Sequence, residues 1–271
     1  GKDFASGILQ RSPYSIRIQL MWEKMRKQII ELTPPSIINV DIEKVLANMD
    51  ANYVKDSYHS LSIEGYRVTD ELIERVRSGK WDPKDMKQDS DSRNALAARG
   101  YYQAFQSVRE SVKSILQNKG KAGDIVAEQL QNWHFELFEP CVQAAIIPAS
   151  DLVGYRKHQV YIRGSKHTPL NPDAIIDAMQ TFYTLLKQEE NVLVRSILGH
   201  FFFVYIHPYM DGNGRTARFI MNAMLVTGDY SWTIIPIEKR DEYMSTLETA
   251  SINGDIIPFA EFIYSLIGNV V

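Results

Sequence analysis

Apolar residues recur along most of the chain at the three-and-four spacing that lines one face of a helix. From Ser15 to about Leu32, the positions Ile16, Ile18, Leu20, Met21, Met25, Ile29 and Ile30 predict a first helix, stopped by Pro34-Pro35. Asp41 is placed to cap a second helix bearing Ile42, Val45, Leu46, Met49, Tyr53 and Val54, which ends near Gly65. Thr69 or Asp70 caps a short third helix, Glu71 to about Ser78. Residues 79–92 are polar and read as a linker, and residues 1–15 as a loose arm. Long amphipathic helices follow at Asn94 to Gln117 and Ala122 to Phe138, the latter with Ile125, Leu130, Trp133, His134 and Leu137 on its inner face. Further helices are expected from Pro172 to about Glu189, Glu238 to Ala250 and Pro258 to Ile267, with Trp232 to Pro236 extended. The pattern predicts an all-α fold. One stretch breaks it: Gln159-Val160-Tyr161-Ile162-Arg163-Gly164-Ser165-Lys166-His167 sets β-branched and aromatic residues around a glycine and predicts a small β-hairpin.

The two most apolar runs, Ile197 to Ile206 and Phe219 to Val226, enclose the polar string His207-Pro208-Tyr209-Met210-Asp211-Gly212-Asn213-Gly214-Arg215-Thr216-Ala217-Arg218. Two buried helices joined by a short loop is the natural reading. Arg215 and Arg218 then fall in the first turn of the second helix, where the dipole disfavours cations. Free N–H groups, two guanidinium groups and a glycine-flanked turn converge there as a seat for a polyanion. Asp211 would be misplaced beside an anion unless it holds a metal, and Mg²⁺ accepts one carboxylate with phosphate and water. The loop reads as a Mg²⁺-triphosphate cradle with His207 at its rim. A bare D-G-N-G is more often only a turn. A calcium loop fails on spacing, with Thr216 at its sixth position and Asn222 at its twelfth. A P-loop fails because Gly-Arg-Thr replaces Gly-Lys-Thr and Tyr209 stands at its first glycine.

Composition narrows the field. Apolar residues make up 45% and charged residues 23%, ordinary values for a globular chain. A formal net charge of −3 argues against nucleic acid as the main partner. The single cysteine, Cys141, excludes an intrachain disulfide framework and fits a reducing, cytoplasmic setting. No apolar run approaches the roughly 20 residues of a membrane span. The chain opens on Gly1 rather than Met, which is compatible with a trimmed leader.

The string 207–218 resembles the signature of the Fic family, H-x-F-x-[D/E]-G-N-G-R-x-x-R, with Tyr209 in place of the usual Phe. The resemblance extends across about residues 120–265. Gly154-Tyr155-Arg156 followed by Val160-Tyr161-Ile162 and Pro169 resembles the family's flap, here residues 154–169, a hairpin over the active site. Ile237 to Tyr243 resembles the adenine-side segment. Ser60-Leu61-Ser62-Ile63-Glu64-Gly65 matches the inhibitory motif [S/T]-x-x-x-E-[G/N]. The resemblance implies a Fic-type helical bundle with one β-hairpin flap. It divides the chain into an N-terminal region, residues 1–95, with an inhibitory helix at 41–65, and a core, residues 96–271.

The same resemblance implies transfer of AMP from ATP to a Ser, Thr or Tyr hydroxyl of a target protein, with self-modification. His207 is the expected base. Asp211 is expected to bind Mg²⁺, and Gly212, Asn213 and Gly214 the α-phosphate. Arg215 meets the β-phosphate and Arg218 the γ-phosphate, while Tyr243 either stacks on adenine or belongs to the core. Val160, Tyr161 and Ile162 are the expected edge on which a target adds as a strand. Ser60 and Glu64 are expected to hold Arg218 in an inhibited state. Removal of AMP by the same pocket and a non-catalytic nucleotide-binding module are the alternatives. Self-association is left open.

Overall fold

The computed structural model describes residues 12–32, 39–81 and 89–267. The Pro34-Pro35 stop, residues 1–11 of the expected arm and residues 82–88 of the expected linker lie outside them. Among the described residues the regular structure is helical: α1 Pro13–Leu32, α2 Ile42–Ile63, α3 Asp70–Arg77, α4 Asp89–Leu116, α5 Ala122–Gln143, α6 Pro172–Gln188, α7 Val192–Ile206, α8 Asn213–Thr227, α9 Arg240–Asn253 and α10 Ile257–Leu266. None of these helices is long and apolar enough to cross a membrane.

The antiparallel pair α7 and α8 forms the centre. Both are apolar nearly all the way round and so must be covered on every side. Helices α4 and α5 pack on α8, α1 and α6 on α7, and α10 closes against α7. Helix α1 is fixed by a buried carboxylate, since Glu189 Oε1 accepts Arg26 Nε (2.8 Å) and Trp22 Nε1 (3.2 Å). Helix α2 begins as expected, with Asp41 accepting the N–H groups of Glu43 and Lys44. It ends with Gly65 at φ +87°, a left-handed turn that glycine adopts without strain. Thr69 caps α3 by accepting Leu72 N–H at 3.1 Å. The division expected at residue 95 falls inside α4, and one apolar core runs from Ile18 to Ile263 across it.

The β-hairpin is a correction: residues 154–169 contain no strand. The expected turn exists, with Gly164 at φ +78° and Ser165 N–H donating to Ile162 O. The arms are joined by side chains instead of a backbone ladder. Gln159 Nε2 donates to the carbonyls of Pro169 (2.9 Å) and Val160 (3.1 Å), and Arg156 donates to His158 O and Leu170 O. Those donors occupy carbonyls that cross-strand N–H groups would otherwise need. At the far end Glu248 of α9 accepts Ser165 Oγ–H (2.5 Å) and Lys166 N–H (2.8 Å). Boundaries also shift: α4 starts at Asp89 rather than Asn94, and α5 continues through Pro140 to Gln143. The extended stretch Trp232–Pro236 is held by one residue of α8, whose Asn222 amide pairs with both Thr233 N (2.7 Å) and Thr233 O (3.0 Å).

Helices α4 and α5 touch backbone to backbone at Gly100, where a Cβ would lie 1.9 Å from Leu137 O. Gly100→Ala must push the two helices apart, and a loss of about 3 kcal/mol is expected. Urea unfolding checks it; an unchanged midpoint would contradict the close approach.

Candidate active site

The loop between α7 and α8 is shaped by two left-handed residues. His207 closes α7 at φ 54° and ψ 60°, and Gly212 opens α8 at φ 85°. A histidine in that region is strained and needs fixing from outside. Arg156 supplies this: its buried guanidinium donates from Nε to His207 O (2.7 Å), and its backbone N–H donates to Pro208 O (2.9 Å). Burial lowers the pKa of that guanidinium. Asn213 closes the loop from inside. Its Nδ2 donates to Tyr209 O (2.8 Å) and its Oδ1 accepts Tyr209 N–H (3.1 Å). The Asn213 amide thus braces the turn, and Tyr209 is buried as its anchor.

The His207 imidazole has a defined polarity. Its Nδ1 lies 3.2 Å from Val204 O, and a carbonyl only accepts, so Nδ1 carries the proton and Nε2 keeps its lone pair. Burial, together with the neighbouring Arg156 charge, pushes its pKa down to about 4, although the Val204 bond and Glu64 act the other way. It is neutral at ordinary pH.

At the start of α8, Asp211 Oδ1 accepts Gly212 N–H (2.7 Å) and Arg215 Nη2 (3.1 Å). The Asp211 side chain is 63% exposed and turned outward. No group of three or more potential metal-ligating side chains occurs among the described residues. A lone outward carboxylate fits Mg²⁺ that arrives with phosphate and water ligands, and would be a poor site for a bare ion. Arg215 is only 1% exposed and lies between the rings of Tyr66 (5.1 Å) and Phe138 (5.3 Å), with its Nε unpartnered.

Arg218 is buried and fully surrounded. Its Nε donates to Ser60 Oγ (2.9 Å), its Nη2 to Glu64 Oε1 (2.7 Å) and Ser60 O (3.2 Å), and its Nη1 to Tyr243 OH (3.5 Å). Burial opposes its charge, but the Glu64 carboxylate outweighs this and the pKa rises. Glu64 responds in kind: burial would raise its pKa, and Arg218 with Arg215 hold it below the usual carboxylate range. The carboxylate reaches this position because residue 214 is glycine; a Cβ there would lie 2.4 Å from Glu64 Oε1. Arg240 Nε caps the end of α2 at Ile63 O (3.0 Å).

The structure therefore gathers His207, Asp211, Gly212, Asn213, Gly214, Arg215, Arg218, Ser60 and Glu64 into one cluster. Of its two expected places Tyr243 takes the core. Its ring is 1% exposed and packs on Phe262, so it offers no face for adenine. Its hydroxyl accepts from Arg218 and donates to His200 Nε2 (2.5 Å), whose ring burial keeps neutral with a pKa of about 3. Val160, Tyr161 and Ile162 lie in the strandless segment, with Tyr161 76% exposed. Two residues that face the loop were not singled out by the sequence. Arg156 appeared only within the flap resemblance, and His134 only as an inner-face residue of α5.

Residues 124–225 match the Fic/DOC family model. Proteins named protein adenylyltransferase Fic, from Drosophila yakuba and Drosophila melanogaster, are 39% identical to this chain over 113 residues. The match spans 40% of this chain and 22% of each relative. Fic-1 from C. elegans (aa134–508) superposes with a TM-score of 0.65 at 21% identity, covering 93% of this chain and 70% of that one. A Fic family protein from Desulfovibrio desulfuricans G20 gives 0.56 at 20% identity, covering 94% and 72%. These two superpositions carry the fold.

The tautomer and the burial of His207 are directly measurable. In imidazole nitrogen–proton spectra of the free protein, His207 should remain neutral with its proton on Nδ1 down to pH 5.5 and titrate near 4. A midpoint near the ordinary histidine value of about 6.5 would contradict this environment.

Proposed function

We propose that this chain, whose residues 124–225 match the Fic/DOC family model, transfers AMP from ATP to a hydroxyl side chain of a protein. One observation carries the reading: a neutral imidazole with its Nε2 lone pair free stands beside the start of a helix whose first two turns carry two arginines. In this scheme a Ser, Thr or Tyr hydroxyl oxygen attacks the α-phosphorus, His207 Nε2 takes the hydroxyl proton, and pyrophosphate departs. The Gly214 N–H receives phosphate oxygens, joined by the Gly212 N–H and the two guanidinium groups once Asp211 and Glu64 release them. Mg²⁺ held by Asp211 would neutralise charge on the departing pyrophosphate. A pKa of about 4 makes His207 a weak base in the free protein. An arriving triphosphate raises the pKa of a neighbouring imidazole and so restores basicity when substrate is present.

The exposed Tyr161 and its neighbours Val160 and Ile162 serve as the docking edge, on which the target lies extended. The Arg218–Glu64 pair supports an inhibited resting state. Arg218 cannot clamp a γ-phosphate while Ser60 and Glu64 hold it. Removal of AMP from modified proteins has a specific observation in its favour, because Glu64 is kept ionised at the cradle and could orient a water.

Incubation with α-labelled ATP, and separately with an AMP-modified protein, discriminates these readings; no label transfer and no release would leave only a binding module. His207→Ala is expected to abolish transfer while ATP still binds, since the base acts in the transition state. Retention of more than about a tenth of the parent rate would remove His207 from that role. A buried charge-assisted pair contributes on the order of 1.5–3 kcal/mol, which at the upper end leaves about 1% of molecules competent. Glu64→Gly is therefore expected to raise transfer, seen first as self-modification, by about ten- to a hundredfold. Equal rates for parent and variant at saturating Mg²⁺-ATP would show that the pair is only structural.

A further inference from the structure

His134 stands on α5, far in sequence from the loop, yet it is the side chain from outside that grips the loop at its centre. Its Nε2 lies 2.8 Å from Asp211 O, so it donates a hydrogen bond to the main chain of the expected Mg²⁺-binding residue. Its ring stacks on Tyr209 at a centroid distance of 3.6 Å and an interplanar angle of 9°. Its edge also limits the turn itself, since a Cβ on Gly212 would lie 3.2 Å from His134 Cδ2 and 2.7 Å from Phe138 Cε2. One buried residue thus touches positions 209, 211 and 212.

We propose that His134 is a positioning residue: by fixing the Asp211 carbonyl and the Tyr209 ring, it sets the direction of the Asp211 carboxylate toward a bound metal-nucleotide. The argument for this role is geometric. The Asp211 side chain is exposed, and among the described residues its hydrogen bonds go to Gly212 N–H and Arg215, both within the same loop and helix. Loop-internal bonds shape the loop but do not fix it to the body. Among the described residues the Asn213 side chain likewise bonds to Tyr209 alone. Arg156 ties the first residues of the loop to the body at His207 and Pro208, and His134 ties the next ones at Tyr209 and Asp211. Partners that orient a metal-binding carboxylate from behind typically change metal affinity by 10–100-fold when removed.

This inference rests on the nucleotide-binding reading of the loop, and the test separates the two. His134→Phe keeps an aromatic ring against Tyr209 and removes the N–H donor; His134→Gln keeps a donor and removes the ring. Mn²⁺ in the presence of ATP is the probe, its binding followed by electron paramagnetic resonance. His134→Phe is expected to weaken Mn²⁺ binding about tenfold or more, with metal-free ATP binding changed by less than about threefold. Unchanged Mn²⁺ affinity in folded His134→Phe overturns the proposal. So does an equal loss with and without metal, which would mark a purely structural residue. Hydrogen exchange of residues 208–214 supplies a readout independent of ligand. It should rise in whichever variant folds while the α7 and α8 interiors stay protected; no rise overturns the proposal. If the parent binds Mn²⁺-ATP but transfers no AMP, the transfer reading fails and the role of His134 stands.

Discussion

Arg218 is a full positive charge withdrawn from water at the positively polarised end of a helix. Both burial and the helix dipole work against it. Such a group persists only where its donors are filled and a counter-charge is near, and much of the arrangement around the loop follows from that need. Ser60 and Glu64 come from α2, Tyr243 from α9, and His200 of α7 stands behind Tyr243 as a neutral acceptor. Arg240 caps α2 so that its last turn points Glu64 at Gly214. Removing one member of a buried pair of this kind costs about 3–5 kcal/mol, more than the pair itself contributes, because the remaining charge is stranded. The site is therefore stable in only two ways, with the carboxylate in place or with another anion there.

The helices were legible because burial on one face imposes a spacing the sequence must display. Asp41, Thr69 and Gly65 mark their ends by local chemistry alone. The loop stood out as a candidate site for a different reason: two arginines in the first turn of a helix are electrically unfavourable unless a counter-charge or a ligand receives them. The two readings of Tyr243, adenine face or core, could not be separated from sequence because its surroundings, Phe262 and His200, are assembled by other helices, and nothing within α9 records them. The same holds for His134. Its identity fits an inner-face position equally well with or without a task, and only the approach of α5 to the loop distinguishes the two.

The segment expected as a hairpin carries a further lesson. Alternating β-branched and aromatic residues record a preference for extended backbone, and Val160 to Ile162 is outside any helix or turn in accord with it. They do not record who receives the carbonyls. Arg156 and Gln159 reach those oxygens first, and Glu248 takes the donors at the turn. The result is a strap pinned by side chains from its own ends and from α9.

Helix α9 gains a significance from this that its sequence does not suggest. Along its length Arg240 holds the end of α2, Tyr243 backs Arg218, and Glu248 holds the strap. Three parts of the site that never adjoin in the chain hang from one rigid rod. Binding equilibria linked through a shared element are reciprocal: whatever free energy one attachment takes from a second, the second takes from the first. A pull on the strap would thereby loosen the grip on α2, with no contact between the strap and α2 at all.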